Sequence, residues 1–196
     1  MSSRDEILKA IRDNASIKVK ELPDINIKHM QYEDINAKFS ASLASVGGNA
    51  VFLDSMAEVE AYIRAHYQDA KVIVSNIEGL HVGTKELGAT DDPHTLADVD
   101  LAIIKGEFAV AENGAVWVKE DNARHRALYF ITQKLMIIVP KGMIVPTMHE
   151  AYENEKVSFQ TGGFGLFISG PSKTADIEQA LVIGAHGATE ACVIFV

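Results

Sequence analysis

The chain has 196 residues and a formal net charge of −9, and 47% of its residues are hydrophobic. This length is typical of one domain that can bury its own core without disulfides or metals. Because the negative charge repels polyanions, we expect no nucleic-acid partner. A single cysteine, Cys192, excludes an intrachain disulfide and cannot hold an iron–sulfur cluster on its own.

No apolar run approaches the roughly 18 residues that a membrane-spanning helix needs, so we expect no membrane span. The segment after Met1 is charged and amphipathic, unlike a secretory leader. Together these features predict a cytoplasmic protein.

The N-terminal part predicts a helix and an arm. A capping box at Ser3–Glu6 opens a first helix, and the weakly periodic stretch that follows contains Pro23. From this change in pattern we predict two parts: residues 1–30 form the helix and arm, and residues 31–196 form one α/β domain.

The next stretch alternates between helical and strand patterns. Tyr32–Val46 is helical and is closed by two glycines, and a capped helix ends at His66. Strands are predicted on either side of that second helix, at Ala50–Leu53 and Lys71–Ser75. Such alternation is typical of a parallel sheet with crossover helices.

A tight hairpin is predicted in the middle of the chain, after a buried strand at Leu101–Lys105. Apolar runs flank Glu112, Asn113 and Gly114, and Asn-Gly is the strongest short hairpin signal. The turn presents the Glu112 carboxylate at a strand end, where α/β sheets bind ligands. Glu112 is therefore a candidate general base, hydroxyl acceptor or carboxylate nucleophile, or else an ordinary turn residue that faces water.

The last third of the chain predicts a helix at about 123–132, a strand at Leu135–Pro140 and a short helix after Pro146. A final strand–helix–strand unit follows, at Phe164–Ile168, Ser172–Ile183 and Ala191–Val196. Taken together, these elements predict a mixed, mainly parallel sheet with helices on both sides.

The turn inside that final unit favours an anion site. A strand that enters a helix through a Gly/Ser/Thr turn points several backbone N–H groups along the positive end of the helix dipole. Around Gly170, side-chain donors would come from Ser172, Lys173 and Thr174. The expected ligand is a phosphate or a small-molecule carboxylate. The alternative is a helix that Ser172 simply caps.

Further positions are candidates for the same site. Asp176 would lie in the first turn of the predicted helix and is a candidate catalytic residue. Arg124 and Arg126 could clamp a carboxylate or phosphate bidentately, or form solvated surface. His186, in a turn between two glycines, could reach a cleft or bond a backbone carbonyl.

No metal site or cofactor is predicted. The segment that begins at His149 lacks the second histidine of a zinc-protease helix. The Gly-rich stretch 162–165 precedes its strand and lacks the spacing of a dinucleotide loop. We therefore expect the purified chain to carry no metal, iron–sulfur cluster or flavin.

Six stretches resemble the LUD family of lactate utilization proteins: Ile168–Glu178, Leu181–Gly187, Ala109–Gly114, Leu135–Pro140, Ile144–Pro146 and Ser3–Leu8. The chain departs from the family's A-E-T-G-T turn at Asn113 and Ala115, where threonine is usual. Residues 124–133 match only loosely the arginine–leucine stretch of the family.

The resemblance implies a fold, a setting and partners. The fold would be a three-layer α/β/α sheet similar to the ribose-5-phosphate isomerase, glucosamine-phosphate deaminase and CoA-transferase group, with the N-terminal helical arm added. The chain would bind a small anionic ligand as a subunit in the oxidation of L-lactate to pyruvate, alongside partner proteins that carry iron–sulfur clusters. Whether several copies form a homo-oligomer is left open.

Two other functions stay open. Glu-Asn-Gly is also similar to the Ser-Glu-Asn-Gly motif of CoA transferases, in which the glutamate attacks an acyl-CoA, so Glu112 could be such a nucleophile. The other is a non-catalytic assembly or ligand-sensing subunit.

Overall fold

The computed structural model describes residues 3–14, 30–88, 92–120, 125–154, 157, 163–174 and 182–196. Its helices are α1 (Ser3–Asn14), α2 (Ile35–Ser45), α3 (Met56–His66), α4 (Leu128–Ile131) and α5 (Met148–Glu153), with a short 3₁₀ helix at Pro93–Leu96. Its strands are β1 (Asn49–Phe52), β2 (Ile73–Ser75), β3 (Leu101–Lys105), β4 (Phe108–Val110), β5 (Ala115–Lys119), β6 (Lys134–Val139), β7 (Ile144–Val145), β8 (Gly165–Ile168), β9 (Lys173–Thr174), β10 (Val182–Ile183) and β11 (Glu190–Phe195).

Five strands form a parallel sheet in the order β1-β11-β6-β3-β2. Successive side chains of the central strand β6 are buried on opposite faces, with Leu135 and Ile137 on one side and Met136 and Ile138 on the other. A strand buried on both faces has apolar side chains at every position, which explains the continuous apolar runs in the sequence.

Four strands form a second, mixed sheet in the order β7-β4-β5-β8. This sheet packs on one face of the parallel sheet, where Ala109 and Val116 share a core with Ile137. The two sheets lie close together at Gly106: a Cβ there would lie 2.6 Å from Val116 Cγ1 and 2.8 Å from Val139 Cγ2. The absence of a side chain at this position therefore permits the sheets to stack.

Helices cover the remaining faces. Helix α3 packs Val59 and Ile63 against the far side of the parallel sheet. Helix α5 places Ala151 in the cluster on the outer side of the mixed sheet, together with Trp117. Helix α2 contributes Phe39 to the core between the sheets. The described layers are thus helix, parallel sheet, mixed sheet and helix.

The α/β class predicted from the sequence is confirmed, but the single predicted sheet is divided in two. The hairpin β4–β5 pairs with β7 and β8 instead of joining the parallel strands. A second sheet consequently covers one face of the parallel sheet, where the three-layer arrangement would place helices alone. The predicted first helix is present as α1, and none of its residues is buried.

The prediction of a helix at Ser172–Ile183 is wrong at both ends, because short strands lie there instead. Strand β9 pairs antiparallel with β10, and residues 175–181 lie outside the described part of the chain. The backbone of Ser172 explains the difference: its N–H donates to Ala188 O at 2.8 Å, and its carbonyl accepts from Gly184 N at 2.9 Å. These long-range bonds hold the segment extended. The predicted helix at 123–132 is described only as the shorter α4.

Candidate functional site

The turn that carries Glu112 is a tight hairpin, as its sequence predicts. Gly114 N–H donates to Val110 O at 3.0 Å, and the Asn113 side chain accepts from Ala115 N–H at 3.1 Å. Gly114 has a φ of +70°, a left-handed conformation that glycine adopts without steric cost. The sequence of the turn therefore fixes the direction in which Glu112 leaves the sheet.

The Glu112 side chain is exposed and connects the hairpin to α5. Its Oε2 accepts from the backbone N–H of Met148, the first residue of α5, at 2.9 Å. Its own N–H donates to Pro146 O at 3.0 Å. The hydrogen bond from Met148 thus links the hairpin to α5, and it also holds the Glu112 carboxylate in a defined position.

Helix α2 packs directly on the same turn. Ser42 Oγ donates to the Glu112 carbonyl at 3.2 Å. A Cβ on Gly114 would lie 2.7 Å from both the N and the Cα of Leu43. The turn and the backbone of α2 are therefore in contact, which is possible because residue 114 is glycine.

The predicted anion loop lies beside the Glu112 turn. Ser169 Oγ donates to Asn113 O at 2.7 Å and so joins the two segments. Gly170 follows with a φ of +72°, and a Cβ there would lie 2.9 Å from Val46 O at the end of α2. The structure therefore brings together the two features that the sequence singled out, although 56 positions separate Asn113 from Ser169.

The loop differs from its predicted form, because its N–H groups are not those of a helix N-terminus. Ser172 N–H bonds Ala188 O, and Lys173 and Thr174 pair with β10. The Lys173 side chain extends over Gly47, with its Cε 3.9 Å from the position of a Cβ there. A positive charge near the C-terminus of α2 is favourable for the helix dipole, so Lys173 has a structural role available.

The Glu112 turn and the loop form one cluster, which lies at the amino edge of the parallel sheet. Gly48, just before β1, touches the loop: a Cβ on it would lie 3.3 Å from Gly170 Cα. The loop also bonds Ala188, which comes shortly before β11. Open α/β sheets bind ligands outside the carboxyl ends of their strands. Glu112 follows β4 in an antiparallel hairpin of the mixed sheet, so this rule gives no argument for a ligand site at Glu112.

The remaining predicted residues are spread around this cluster. The Arg126 guanidinium lies 5.7 Å above the ring of Phe164 and 3.8 Å from Glu120 Oε1, on the surface. His186 is exposed in a turn that approaches the loop, since a Cβ on Gly187 would lie 3.0 Å from Ser172 Cβ. Arg124 and Asp176 lie outside the described residues.

The carboxyl edge of the parallel sheet has a feature that sequence reasoning missed. A cavity of about 400 Å³ opens there, lined by Asn76, Ile77, Glu78, Lys105, Ile138, Pro140 and Val196. Next to it, the side chain of Glu107 is only 10% exposed, and its Oε1 lies 3.9 Å from Lys105 Nζ and 3.8 Å from Lys119 Nζ. The available signal was a glutamate between two buried apolar strands, β3 and β4.

The described ranges hold neither a metal-ligand cluster nor a membrane-spanning helix. These ranges contain no group of three or more His, Cys, Asp or Glu side chains placed to hold a metal ion. Within them, no helix has the length and apolar character needed to cross a bilayer.

The sequence is similar to known proteins over most of its length. A family model for the LUD domain matches residues 93–196. Lactate utilization protein C of Geobacillus kaustophilus is 34% identical over 122 residues, which cover 60% of this chain and 50% of that protein. The protein of the same name from Geobacillus thermodenitrificans is 28% identical over 202 aligned positions, which cover 99% of this chain and 80% of that protein.

A solved structure shows the same fold. The crystal structure of a DUF162 family protein from Deinococcus radiodurans superposes with a TM-score of 0.65 at 21% identity. The superposition covers 83% of this chain and 96% of that one. This chain therefore shares its overall fold with an experimentally determined structure.

Proposed function

We propose that this chain, which belongs to the LUD domain family, is a component of a system that oxidises L-lactate to pyruvate. The observation that carries the proposal is the similarity to a lactate utilization protein C over 99% of this chain. In this proposal the chain binds a small anionic ligand and works with partner proteins that carry iron–sulfur clusters, which its single cysteine cannot supply alone.

The proposed anion site is the cluster at the amino edge. Gly170 would offer its backbone, and Ser172, Lys173 and Thr174 would offer hydroxyl and ammonium donors, to the ligand's negative group. Glu112 would meet the ligand's hydroxyl as a base or acceptor. The support for this arrangement is the hydrogen bond from Ser169 to Asn113, which fixes the loop against the turn that carries Glu112.

The other predicted residues would surround that site. Arg126 and His186 belong to neighbouring surface segments, and in the proposal Arg124 adds to the anion site and Asp176 is a catalytic residue beside it. Since the loop lacks a helix N-terminus, most of the positive potential would come from side chains. We therefore expect weak binding, with a dissociation constant on the order of 1 mM.

Replacement of Glu112 by Gln tests the proposed role in lactate oxidation. The amide keeps an oxygen that can accept from Met148 N–H, so the melting temperature should stay nearly unchanged, as for most surface substitutions. If Glu112 acts as a base, growth of a complemented deletion strain on lactate should fail, because loss of a general base costs about 10²–10⁴ in rate. Glu153→Gln, an exposed change at the end of α5, is the matched control.

Normal growth of the Glu112→Gln strain at equal protein level would reduce Glu112 to a turn residue. Growth of the full deletion strain on lactate would contradict the proposed pathway itself. Co-purification of the tagged chain with a cysteine-rich iron–sulfur protein tests the proposed partnership separately. An isolated chain that transfers acyl groups from acyl-CoA would favour the transferase alternative instead.

A further inference from the structure

We propose that β1, at the edge of the parallel sheet, is a homodimer interface, where β1 of a second copy of this chain pairs with it. The two strands would run antiparallel about a two-fold axis at Val51, so that two five-stranded sheets become one continuous sheet. Such pairing depends neither on lactate chemistry nor on Glu112, and so goes beyond the proposed function.

The outer side of β1 has open backbone groups. The strand pairs only with β11, and Leu53 N–H, just after the strand, donates to Phe195 O at 2.9 Å. Because the backbone groups of successive residues point to opposite sides of a strand, Val51 also faces β11, while Ala50 and Phe52 face outward. Among the described residues, none bonds the N–H or the carbonyl of Ala50 or Phe52 on that outer side. Four backbone groups are therefore open to another strand.

The opposite edge of the same sheet is covered by the chain itself. Ile73 N–H of β2 donates to Thr84 Oγ1 at 2.8 Å, and its carbonyl accepts from the N–H groups of Thr84 and Lys85 at 2.9 and 3.1 Å. Proteins also protect edge strands with proline, lysine or a bulge. The sequence of β1, Asn-Ala-Val-Phe, contains no proline or charge, and its register is continuous. An uncovered edge of this kind is a template for another strand.

A second copy of β1 satisfies all four open groups at once. In an antiparallel pair, two opposite residues can exchange both of their N–H···O bonds. When Val51 lies opposite Val51 of the second copy, Ala50 lies opposite Phe52 of that copy, and Phe52 lies opposite its Ala50. Four hydrogen bonds result, and the two-fold axis closes the assembly as a dimer.

The side chains of β1 match each other in this arrangement. Phe52 is 38% exposed and stacks on Phe195 with ring centroids 4.8 Å apart. Its opposite neighbour would be Ala50, which lies on the same face and is small enough to leave room for the ring. On the other face, Val51 would meet its own copy, and β-branched side chains pair favourably across strands. Pairing would thus cover an exposed phenylalanine.

The amino end of β1 has a positive charge at its open side. The Lys173 side chain extends over Gly47, with its Cε 3.9 Å from the position of a Cβ there. The acidic residue near this end, Glu190, accepts from Tyr67 Oη at 2.8 Å. The ring of Tyr67 lies below the ammonium group of Lys134 in β6, so Glu190 is directed towards the middle of the sheet and away from β1.

The carboxyl end of β1 has the opposite charge. Asp54 forms an ion pair with Lys141, and Asp54 N–H donates to Glu58 Oε2 at 3.0 Å. These three side chains have a net charge of −1. Because antiparallel pairing brings the amino end of one copy to the carboxyl end of the other, Lys173 would approach this acidic group twice, once at each end of the interface.

Sedimentation velocity of the full chain measures the dimer. A pair of four-residue strands is a small interface, so we expect a dissociation constant on the order of 10–100 µM. Concentrations from about 1 to 300 µM should therefore show a shift from monomer to dimer. A salt concentration of about 0.15 M screens the repulsion between two chains of net charge −9.

Ala50→Pro tests the backbone hydrogen bonds. Proline removes an N–H that faces outward, so the monomer keeps its own bonds, as is usual for proline on edge strands. Two of the four bonds between the copies disappear, which should weaken the dimer about tenfold or more. Phe52→Lys places a charge on the edge and should weaken the dimer as well. The matched control is Phe130→Lys, at a phenylalanine in α4 that is 47% exposed, and it should leave the dimer unchanged.

Val51→Cys tests the register. Opposite residues of this type have Cα atoms about 4.5 Å apart, which lies within the range of about 4.4–6.8 Å for a disulfide. Mild oxidation should therefore give a covalent dimer. Met143→Cys, at a side chain that is 43% exposed, should not crosslink, and the native Cys192 is buried.

Three results would overturn the inference. The first is a chain that stays monomeric up to about 300 µM, which would leave this edge to a strand of a different protein. The second is a dimer that Ala50→Pro and Phe52→Lys leave as strong as the wild type. The third is a dimer in which Val51→Cys does not crosslink, which would place the interface on another surface. The crosslink decides alone if the two edge variants melt at a lower temperature than the wild type.

Discussion

Gly114→Ala should destabilise the protein strongly, because a side chain at this position of the hairpin turn would collide with helix α2. The φ of +70° at this residue costs an L-residue about 1–2 kcal/mol. The new Cβ would also lie 2.7 Å from the backbone of Leu43, so α2 must move, and overpacking of this kind costs about 1–3 kcal/mol. The sum, about 2–5 kcal/mol, is a large part of a typical folding free energy of 5–15 kcal/mol.

Gly79→Ala separates the two contributions. Gly79 has a φ of +77°, but a Cβ there would meet no atom within 4 Å, so only the conformational cost of about 1–2 kcal/mol applies. Urea unfolding followed through the fluorescence of Trp117, which is 4% exposed, measures both variants. With a slope of about 1–3 kcal/mol/M, the midpoint of Gly114→Ala should lie about 1 M below that of Gly79→Ala. Equal midpoints would refute the described contact between the hairpin turn and α2.

The remaining predictions concern ionisation and the contact between the sheets. Burial raises the pKa of the Cys192 thiol to about 11 and that of Tyr62 to about 12, so their protonated forms are favoured in the folded chain. The stability from the thiol is complete below about pH 9 and is lost as the pH rises from 9 to 11, by about 1.4 kcal/mol per pH unit, and that from Tyr62 is lost between about pH 10 and 12. Urea midpoints between pH 8 and 11 should show this loss, and Cys192→Ser should remove its thiol part; an unchanged slope would contradict the assignment. A thiol reagent at pH 8 should label Cys192 only in denaturant, and rapid labelling of the folded chain would show that the thiol is accessible. Gly106→Ala, with a Cβ 2.6 Å from Val116, should lower the melting temperature more than Gly83→Ala, whose Cβ would meet no atom closer than 3.8 Å, and equal values would contradict the close sheet contact.

Local patterns predicted much of the secondary structure. The strand Leu101–Lys105 has the predicted bounds, and the hairpin forms around the Asn-Gly turn. Helix α3 begins after Ser55, whose hydroxyl accepts from Glu58 N–H as a cap. Such features depend on neighbours within a few residues, which is the range over which sequence patterns hold.

The candidate site was predictable in part. The sequence singled out the Glu112 turn and the Gly170 loop, and the structure joins them through Ser169 and Asn113. The helix predicted from Ser172 is instead a strand pair, because bonds to Ala188 and Gly184 outweigh a local capping pattern. The contact of Glu107 with Lys105 and Lys119 could not be foreseen, since Lys119 approaches only when β5 pairs with β4.

The sequence by itself determined the α/β class, the apolar strands, the hairpin and the resemblance to the LUD family, because each depends on short-range pattern or on matched residues. Only the tertiary structure decided how the strands divide between two sheets and which edge each candidate residue occupies. That division depends on strand pairing and on close contacts such as those at Gly106 and Gly114, which join positions far apart in the chain. It therefore placed Glu112 at the amino edge of the parallel sheet and left the carboxyl edge to Lys105.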